Sequence, residues 1–184
     1  MSNLIKTKLK MVNHNVNHKT IELINSLKNK EKIKILFVCL GNICRSVAAE
    51  EVFRVKAAAA GRAADYELDS AGLIDYHEGE LADERMRRHA ARRGYVLTHR
   101  SRPVTDEDFD RFDLIVAMDD DNVRRLSRLA GKTERHARIV RMTDYLQRLE
   151  AGFVPDPYYG GAQDFEHVLD LLEDAADGLL DRTR

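Results

Sequence analysis

Only two cysteines occur in the 184 residues, Cys39 and Cys44, and both fall in one short stretch. That excludes the disulfide framework of a small secreted domain. No apolar run approaches the ~18 residues that a membrane helix needs. The N-terminus carries lysines but no apolar core of a secretory signal. Charge of either sign is nearly balanced, with a formal net of −1, so no general attraction to nucleic acid or membrane is implied. His14, His18, His77, His89, His136 and His167 show no metal-ligand spacing and read as surface residues. What remains is a chain 43% hydrophobic, long enough for one domain with a proper core. A cytoplasmic enzyme is the simplest expectation.

The charge is unevenly placed. Eight of the ten lysines and six of the eight asparagines lie in residues 1–34, and all twenty arginines lie from Arg45 onward. The first segment has two acids against eight lysines, and the remainder 29 acids against 22 bases. This switch divides the chain into a basic N-terminal extension, residues 1–32, and a domain, residues 33–184. The extension reads as a solvated, partly disordered tail or as one short helix over residues 18–30. A basic arm for an acidic partner is the alternative use.

Within the domain, short apolar runs predict strands at Ile33–Val38, Tyr66–Ala71, Leu114–Met118 and Arg138–Met142. Helical patterns cover Ser46–Ala60, Leu81–Arg93, Asp119–Ala130 and Phe165–Leu180, the last with Asp164 as a candidate cap. Gly61 and Gly94 fall where two helices should stop. The arginines of the second helix, Arg85, Arg87, Arg88, Arg92 and Arg93, read as a solvated face. Strands alternating with helices predict a parallel sheet covered on both faces, with ligands at the carboxyl ends of the strands.

The first strand ends in Cys39-Leu40-Gly41-Asn42-Ile43-Cys44-Arg45-Ser46, and a helix follows at once. A thiol and a guanidinium therefore meet at a helix N-terminus, where free N–H groups and the dipole attract anions. A thiol there ionises readily and is a strong nucleophile. Arg45 has the planar fork that grips two phosphate oxygens, and the amides of Leu40 to Arg45 supply further donors if the loop curls around the anion. Gly41 eases that curl. Asn42 tolerates a left-handed turn, and Ser46 can donate to the thiolate. Phosphate-ester hydrolysis also needs a proton for the leaving oxygen. Asp156 is the candidate, between Pro155 and Pro157, with partial burial beside aromatic rings expected to keep it protonated.

These blocks resemble the low-molecular-weight protein-tyrosine-phosphatase family over most of residues 33–182. The resemblance rests on the Cys39–Ser46 loop and on Asp156-Pro157-Tyr158-Tyr159-Gly160. Asp69-Ser70-Ala71-Gly72, Thr98-His99-Arg100-Ser101-Arg102 and Phe112-Asp113 through Met118-Asp119 are also similar. It implies a three-layer α/β sandwich with a four-stranded parallel sheet flanked by helices, and no metal or cofactor. It implies Cys39 as nucleophile, Arg45 as phosphate clamp and Asp156 as general acid, then base. Ser46, Asn42, Ser70 and His99 resemble the set that supports the loop. Ile43, Tyr76, Tyr158 and Tyr159 resemble the walls of the substrate pocket, with Tyr158 packing against the substrate ring. Cys44 either packs beneath the loop or, as the family implies, forms a reversible disulfide with Cys39. Val47 departs from the family's proline after the Arg-Ser pair, a change that removes no catalytic group.

The activity so implied is hydrolysis of phosphotyrosine in proteins, with a bacterial tyrosine kinase among the possible partners. Three other readings share the loop. Arsenate reduction needs further cysteines to relay a disulfide, and none follows Cys44. Protein-arginine phosphatases of the same family tend to carry threonine where Ile43 stands. A non-catalytic phosphotyrosine-binding module would not need the full set of reactive groups.

Overall fold

In a computed structural model of the chain, residues 32–131 and 135–183 are described. The basic extension, apart from Lys32, lies outside the described residues. Within the described residues, α-helices and strands follow in the order β1 Ile33–Cys39, α1 Arg45–Ala59, β2 Tyr66–Gly72, α2 Glu84–Arg92, α3 Asp108–Arg111, β3 Leu114–Ala117, α4 Asp120–Ala130, β4 Arg138–Arg141 and α5 Ala162–Arg182. The strands form one parallel sheet in the order β2-β1-β3-β4.

Strand β1 is central and buried on both faces, so its sequence is continuously apolar. Its alternate residues serve two separate cores. Ile33, Ile35, Phe37 and Cys39 pack with Val52 and Phe53 of α1 and with Leu169 and Leu172 of α5. Leu36 and Val38 pack with Phe109, Phe112 and Leu126 on the opposite face. The sheet is thus covered on both sides, and all four strands end at the same edge. The loop after Cys39 leaves from the middle of that edge.

The predicted strands are found with ends shifted by one residue or so. Gly61 and Gly94 stand just past α1 and α2 with φ of 71° and 87°, which is the left-handed geometry that ends a helix. Two boundaries and one unpredicted helix differ. Helix α2 begins at Glu84, not Leu81, because Asp83 accepts the Arg85 N–H at 2.8 Å and caps it, while Leu81 bridges to Arg100. Helix α5 begins at Ala162, where the Asp164 carboxylate turns back to the Gly161 N–H at 2.7 Å. The short helix α3 has too few residues for a periodic signal.

Candidate active site

The loop after β1 is anchored to the end of β2. Leu73 N–H donates to Leu40 O at 2.8 Å, and Ile74 N–H to the same oxygen at 3.1 Å. Gly72 lies beneath the loop: a Cβ there would sit 3.1 Å from the Gly41 carbonyl carbon and the Leu40 oxygen. Of the two loop residues that the sequence offered for the bend, Gly41 and Asn42, it is Asn42 that takes the left-handed conformation, with φ of 55°. Gly41 is small for a different reason, since a Cβ would press His77 at 3.2 Å.

Asn42 holds this conformation by using every polar atom of its side chain. Its Nδ2 donates to Ser46 Oγ at 2.9 Å and to Ser70 Oγ at 3.0 Å. Its Oδ1 faces His99 Nε2 and accepts the Arg102 N–H, both at 3.1 Å. An amide oxygen only accepts, so His99 Nε2 is the donor. Ser70 passes its own hydrogen to Glu50 Oε2 at 2.8 Å. Ser46, already accepting from Asn42, has one hydrogen to give, with Cys39 Sγ 3.1 Å away and the Ala71 carbonyl oxygen more distant at 3.5 Å. The four supporting residues expected from the sequence therefore converge, and Glu50 joins them as a buried fifth. The donor atoms of Glu50, Asp69 and His99 lie within 4.8 Å of one another. Both carboxylates are already engaged, Glu50 by Arg54 and Ser70, and Asp69 by Arg102 and the Ser70 N–H. The trio thus serves as a support under the loop.

Arg45 opens helix α1, whose first turn contains no acidic residue, leaving its N–H groups available to an anion. The guanidinium is only 3% exposed. Its Nη1 donates to Asp119 Oδ2 at 2.7 Å and to Val154 O at 3.2 Å, and its Nη2 to Asp156 Oδ2 at 2.7 Å. Burial alone would lower its pKa; Cys39, Asp156 and Asp119 outweigh that and raise it. Its Nε is buried with no hydrogen-bond partner among the described residues. The sequence presents Asp119 as the start of a helix, and the fold adds its bond to Arg45: a carboxylate just past β3 that caps α4 through the Asn122 N–H at 2.7 Å is the local signal for this residue.

Cys39, Cys44, Arg45 and Asp156 face one cavity of ≈ 350 Å³, walled by Ile43, Tyr76, His77, Tyr158 and Tyr159. Tyr159 is 96% exposed and Tyr158 half-covered, their rings edge to face with centroids 5.0 Å apart. Asp156 shares this cavity with Tyr76, Tyr158 and Tyr159. Its side chain is 42% exposed and lies against Arg45. The Cys44 thiol is buried, and burial, followed by the charge of Asp83, pushes its pKa up. Both cysteines are free thiols.

Two further expectations change. His77 is a wall of the cavity, its ring edge to face with Tyr76 at 4.9 Å and tied to Glu80 at 2.7 Å. His89 is buried, stacked on Phe165 with centroids 5.5 Å apart and bonded to Glu166. Nor do the arginines of α2 form one solvated face. Arg93 pairs with Glu166, Asp170 and Glu173 of α5, and Arg85 donates to the carbonyl oxygen of Tyr158, a wall residue of the cavity.

Fold and site together define a class: an α/β sandwich that presents a thiol, a buried guanidinium and a carboxylate to one anion-sized basin at the carboxyl edge of its sheet. Within that class, the chain belongs to the low molecular weight phosphotyrosine protein phosphatase family, whose model matches residues 34–184. It is 46% identical over 154 residues to the low molecular weight protein-tyrosine-phosphatase of Streptomyces coelicolor, covering 82% of this chain and 93% of that one. It is similar to the crystal structure of a protein tyrosine phosphatase from Entamoeba histolytica with Hepes in the active site, with a TM-score of 0.78 and 45% identity. That match covers 82% of this chain and 96% of the other. A Drosophila arginine phosphatase structure is also similar, with a TM-score of 0.76 and 28% identity over 81% of this chain and 96% of that one.

Proposed function

We propose that the chain hydrolyses phosphotyrosine in cytoplasmic proteins through a phosphocysteine at Cys39. The observation that carries this reading is Arg45: a buried guanidinium in the same basin as Cys39 Sγ, with one donor unpartnered and two more held by carboxylates. A phosphate dianion supplies acceptors for such donors.

The chemistry proceeds in two steps. Cys39 Sγ, as thiolate, forms a bond to phosphorus while the bond to the tyrosyl oxygen breaks. Asp156, in its acid form, gives its proton to that departing oxygen. The Asp156 carboxylate then takes a proton from water, whose oxygen attacks phosphorus, and the P–S bond breaks to regenerate the thiolate and release inorganic phosphate. Ser46 Oγ–H stabilises the sulfur charge at both ends of the cycle. Tyr158 and Tyr76 flank the aryl ring. Cys44 lines the same cavity as the nucleophile: when a peroxide oxidises Cys39 to the sulfenic acid, the Cys44 thiol displaces water to close a protective disulfide, which an external thiol reductant reopens.

Tyrosine-phosphorylated proteins are the partners this chemistry requires, and a bacterial tyrosine kinase is the candidate among them. The described residues contain no helix long and apolar enough to cross a membrane. The likeness to an arginine phosphatase makes phosphoarginine the competing ester. The branched side chain of Ile43 on the cavity wall favours the flat aryl ester. Turnover of phosphotyrosine and phosphoarginine peptides by the intact chain, Cys39→Ser and Asp156→Ala tests this. Phosphotyrosine turnover lost in both variants supports the proposal; a preference for phosphoarginine, or activity in Cys39→Ser, overturns it.

A further inference from the structure

The segment from Val154 to Tyr158 receives three side-chain hydrogen bonds from the rest of the site among the described residues. Two come from Arg45, Nη1 to Val154 O at 3.2 Å and Nη2 to Asp156 at 2.7 Å. The third comes from α2: Arg85 Nη2 donates to the Tyr158 carbonyl oxygen at 2.9 Å. In the reaction proposed above, phosphate draws on the donors of Arg45, so its two ties are the ones that substrate disturbs. The tie from Arg85 is independent of the phosphate.

Arg85 is itself fixed. Its Nε and Nη2 donate to the two carboxylate oxygens of Asp83 at 3.1 and 2.9 Å. Asp83 is set by the phosphate-binding loop, since its N–H donates to Ile43 O at 2.8 Å. The guanidinium also lies over two rings, 4.9 Å from the centroid of Phe165 at the start of α5 and 5.5 Å from that of Tyr158. One side chain therefore connects the loop that would hold phosphate, the segment that would deliver the proton, and the ring that would face the substrate. Burial opposes the charge on Asp83, yet the bonds from Arg85 outweigh it and lower the carboxyl pKa, which is consistent with a retained ion pair.

We infer that Arg85, held by Asp83, is a positioning residue that keeps the Asp156–Tyr158 segment in register with the phosphate loop when Arg45 engages substrate. It touches neither the phosphorus nor the nucleophile, so it acts through Asp156 and Tyr158. Lysine cannot reproduce it, since one ammonium cannot span both Asp83 oxygens and the Tyr158 carbonyl in a planar fork. The inference rests on the assignment of Asp156 as the acid, and its test must separate the two.

The test is the slope of log kcat/KM against the leaving-phenol pKa, measured on a series of aryl phosphates. A well-placed acid flattens that slope, because the proton arrives as the bond breaks. Asp156→Ala is expected to steepen it strongly. Arg85→Ala and Arg85→Lys are both expected to steepen it partially. Both should lose about tenfold on phosphotyrosine, where misplacement of the acid is felt most, and much less on the best leaving group. In the Asp156→Ala background, Arg85→Ala should cost nothing further in slope. If Asp156→Ala leaves the slope flat, the acid assignment falls, and this inference with it. If Asp156→Ala steepens the slope but neither Arg85 variant does, the inference alone is overturned. Equal losses on every ester by the Arg85 variants also overturn it, as does a loss in Arg85→Ala restored by lysine, since that would mark a mere charge effect.

Discussion

Replacing Asp119 separates what holds Arg45 from what holds helix α4. One carboxylate does both: Oδ1 accepts the Asn122 N–H at 2.7 Å and Oδ2 accepts Arg45 Nη1 at 2.7 Å. Its side chain is 23% exposed and that of its partner 3%, so the pair is not discounted as a surface bridge. In Asp119→Asn the cap survives, because asparagine and aspartate are equivalent there. With its one oxygen kept on the Asn122 N–H, the amide nitrogen faces Arg45 Nη1, donor against donor, and the charge-assisted bond, about 1.5–3 kcal/mol, is lost. About 2 kcal/mol of orientation is lost, or roughly thirtyfold in kcat/KM, with a Tm drop of about 4–8 °C for a chain of this length. Asp119→Ala removes the cap as well, about 1 kcal/mol, together with the whole charged bond. A loss of about 3 kcal/mol follows, or roughly 6–12 °C in Tm. Thermal denaturation and steady-state kinetics on an aryl phosphate read both quantities. The reasoning is refuted if Asp119→Asn matches wild type in kcat/KM, or if it loses as much Tm as Asp119→Ala.

Other outcomes follow from backbone contacts and buried charges. Gly178→Ala places a Cβ 1.9 Å from the Tyr145 carbonyl oxygen, so α5 must shift; a loss above about 2 kcal/mol in urea denaturation is expected. Gly72→Ala presses the Gly41 carbon and the Leu40 oxygen, each 3.1 Å from the new Cβ. It should lower kcat/KM by about tenfold or more with little change in m-value. Asp174 is buried against the amides of Gln147, Arg148 and Leu149, which it accepts at 3.0 Å each. Burial raises its pKa, but these three bonds and Arg148 outweigh that and hold it below the ordinary value. Its stabilisation is complete above the unfolded carboxyl pKa, about 3.9, and is lost as pH falls through the folded value. Denaturation of wild type and Asp174→Asn should therefore differ clearly at pH 7 and converge in strong acid; a difference unchanged across that range contradicts the assignment.

The sheet, the helix order and the loop were legible because their signals are local. Runs such as Ile33–Val38 and the stops at Gly61 and Gly94 need no distant partner. The convergence of Cys39, Arg45 and Asp156 on one cavity was legible because a thiol and an arginine at a helix start, and an aspartate between two prolines, are each specific patterns. The supports of that trio were less so, because each depends on a neighbour far along the chain. Asp119 meets Arg45 across 74 residues and Arg85 meets Tyr158 across 73. Glu50 reads as an ordinary helix acid until Ser70 and His99 lie beside it. Both Gly41 and Asn42 suited a bend by residue type; what only the fold shows is that Asn42 takes it, with four hydrogen bonds from distant and near partners to hold it there.

Everything in the proposed cycle passes through the sulfur of Cys39. Rapid quench of the intact chain during turnover of a phosphotyrosine peptide, followed by mass mapping of the tryptic fragments, reads that sulfur directly. The account expects a transient phosphate adduct on Cys39, absent from Cys39→Ser, which also loses turnover. An adduct on another residue, or turnover that persists in Cys39→Ser, contradicts it.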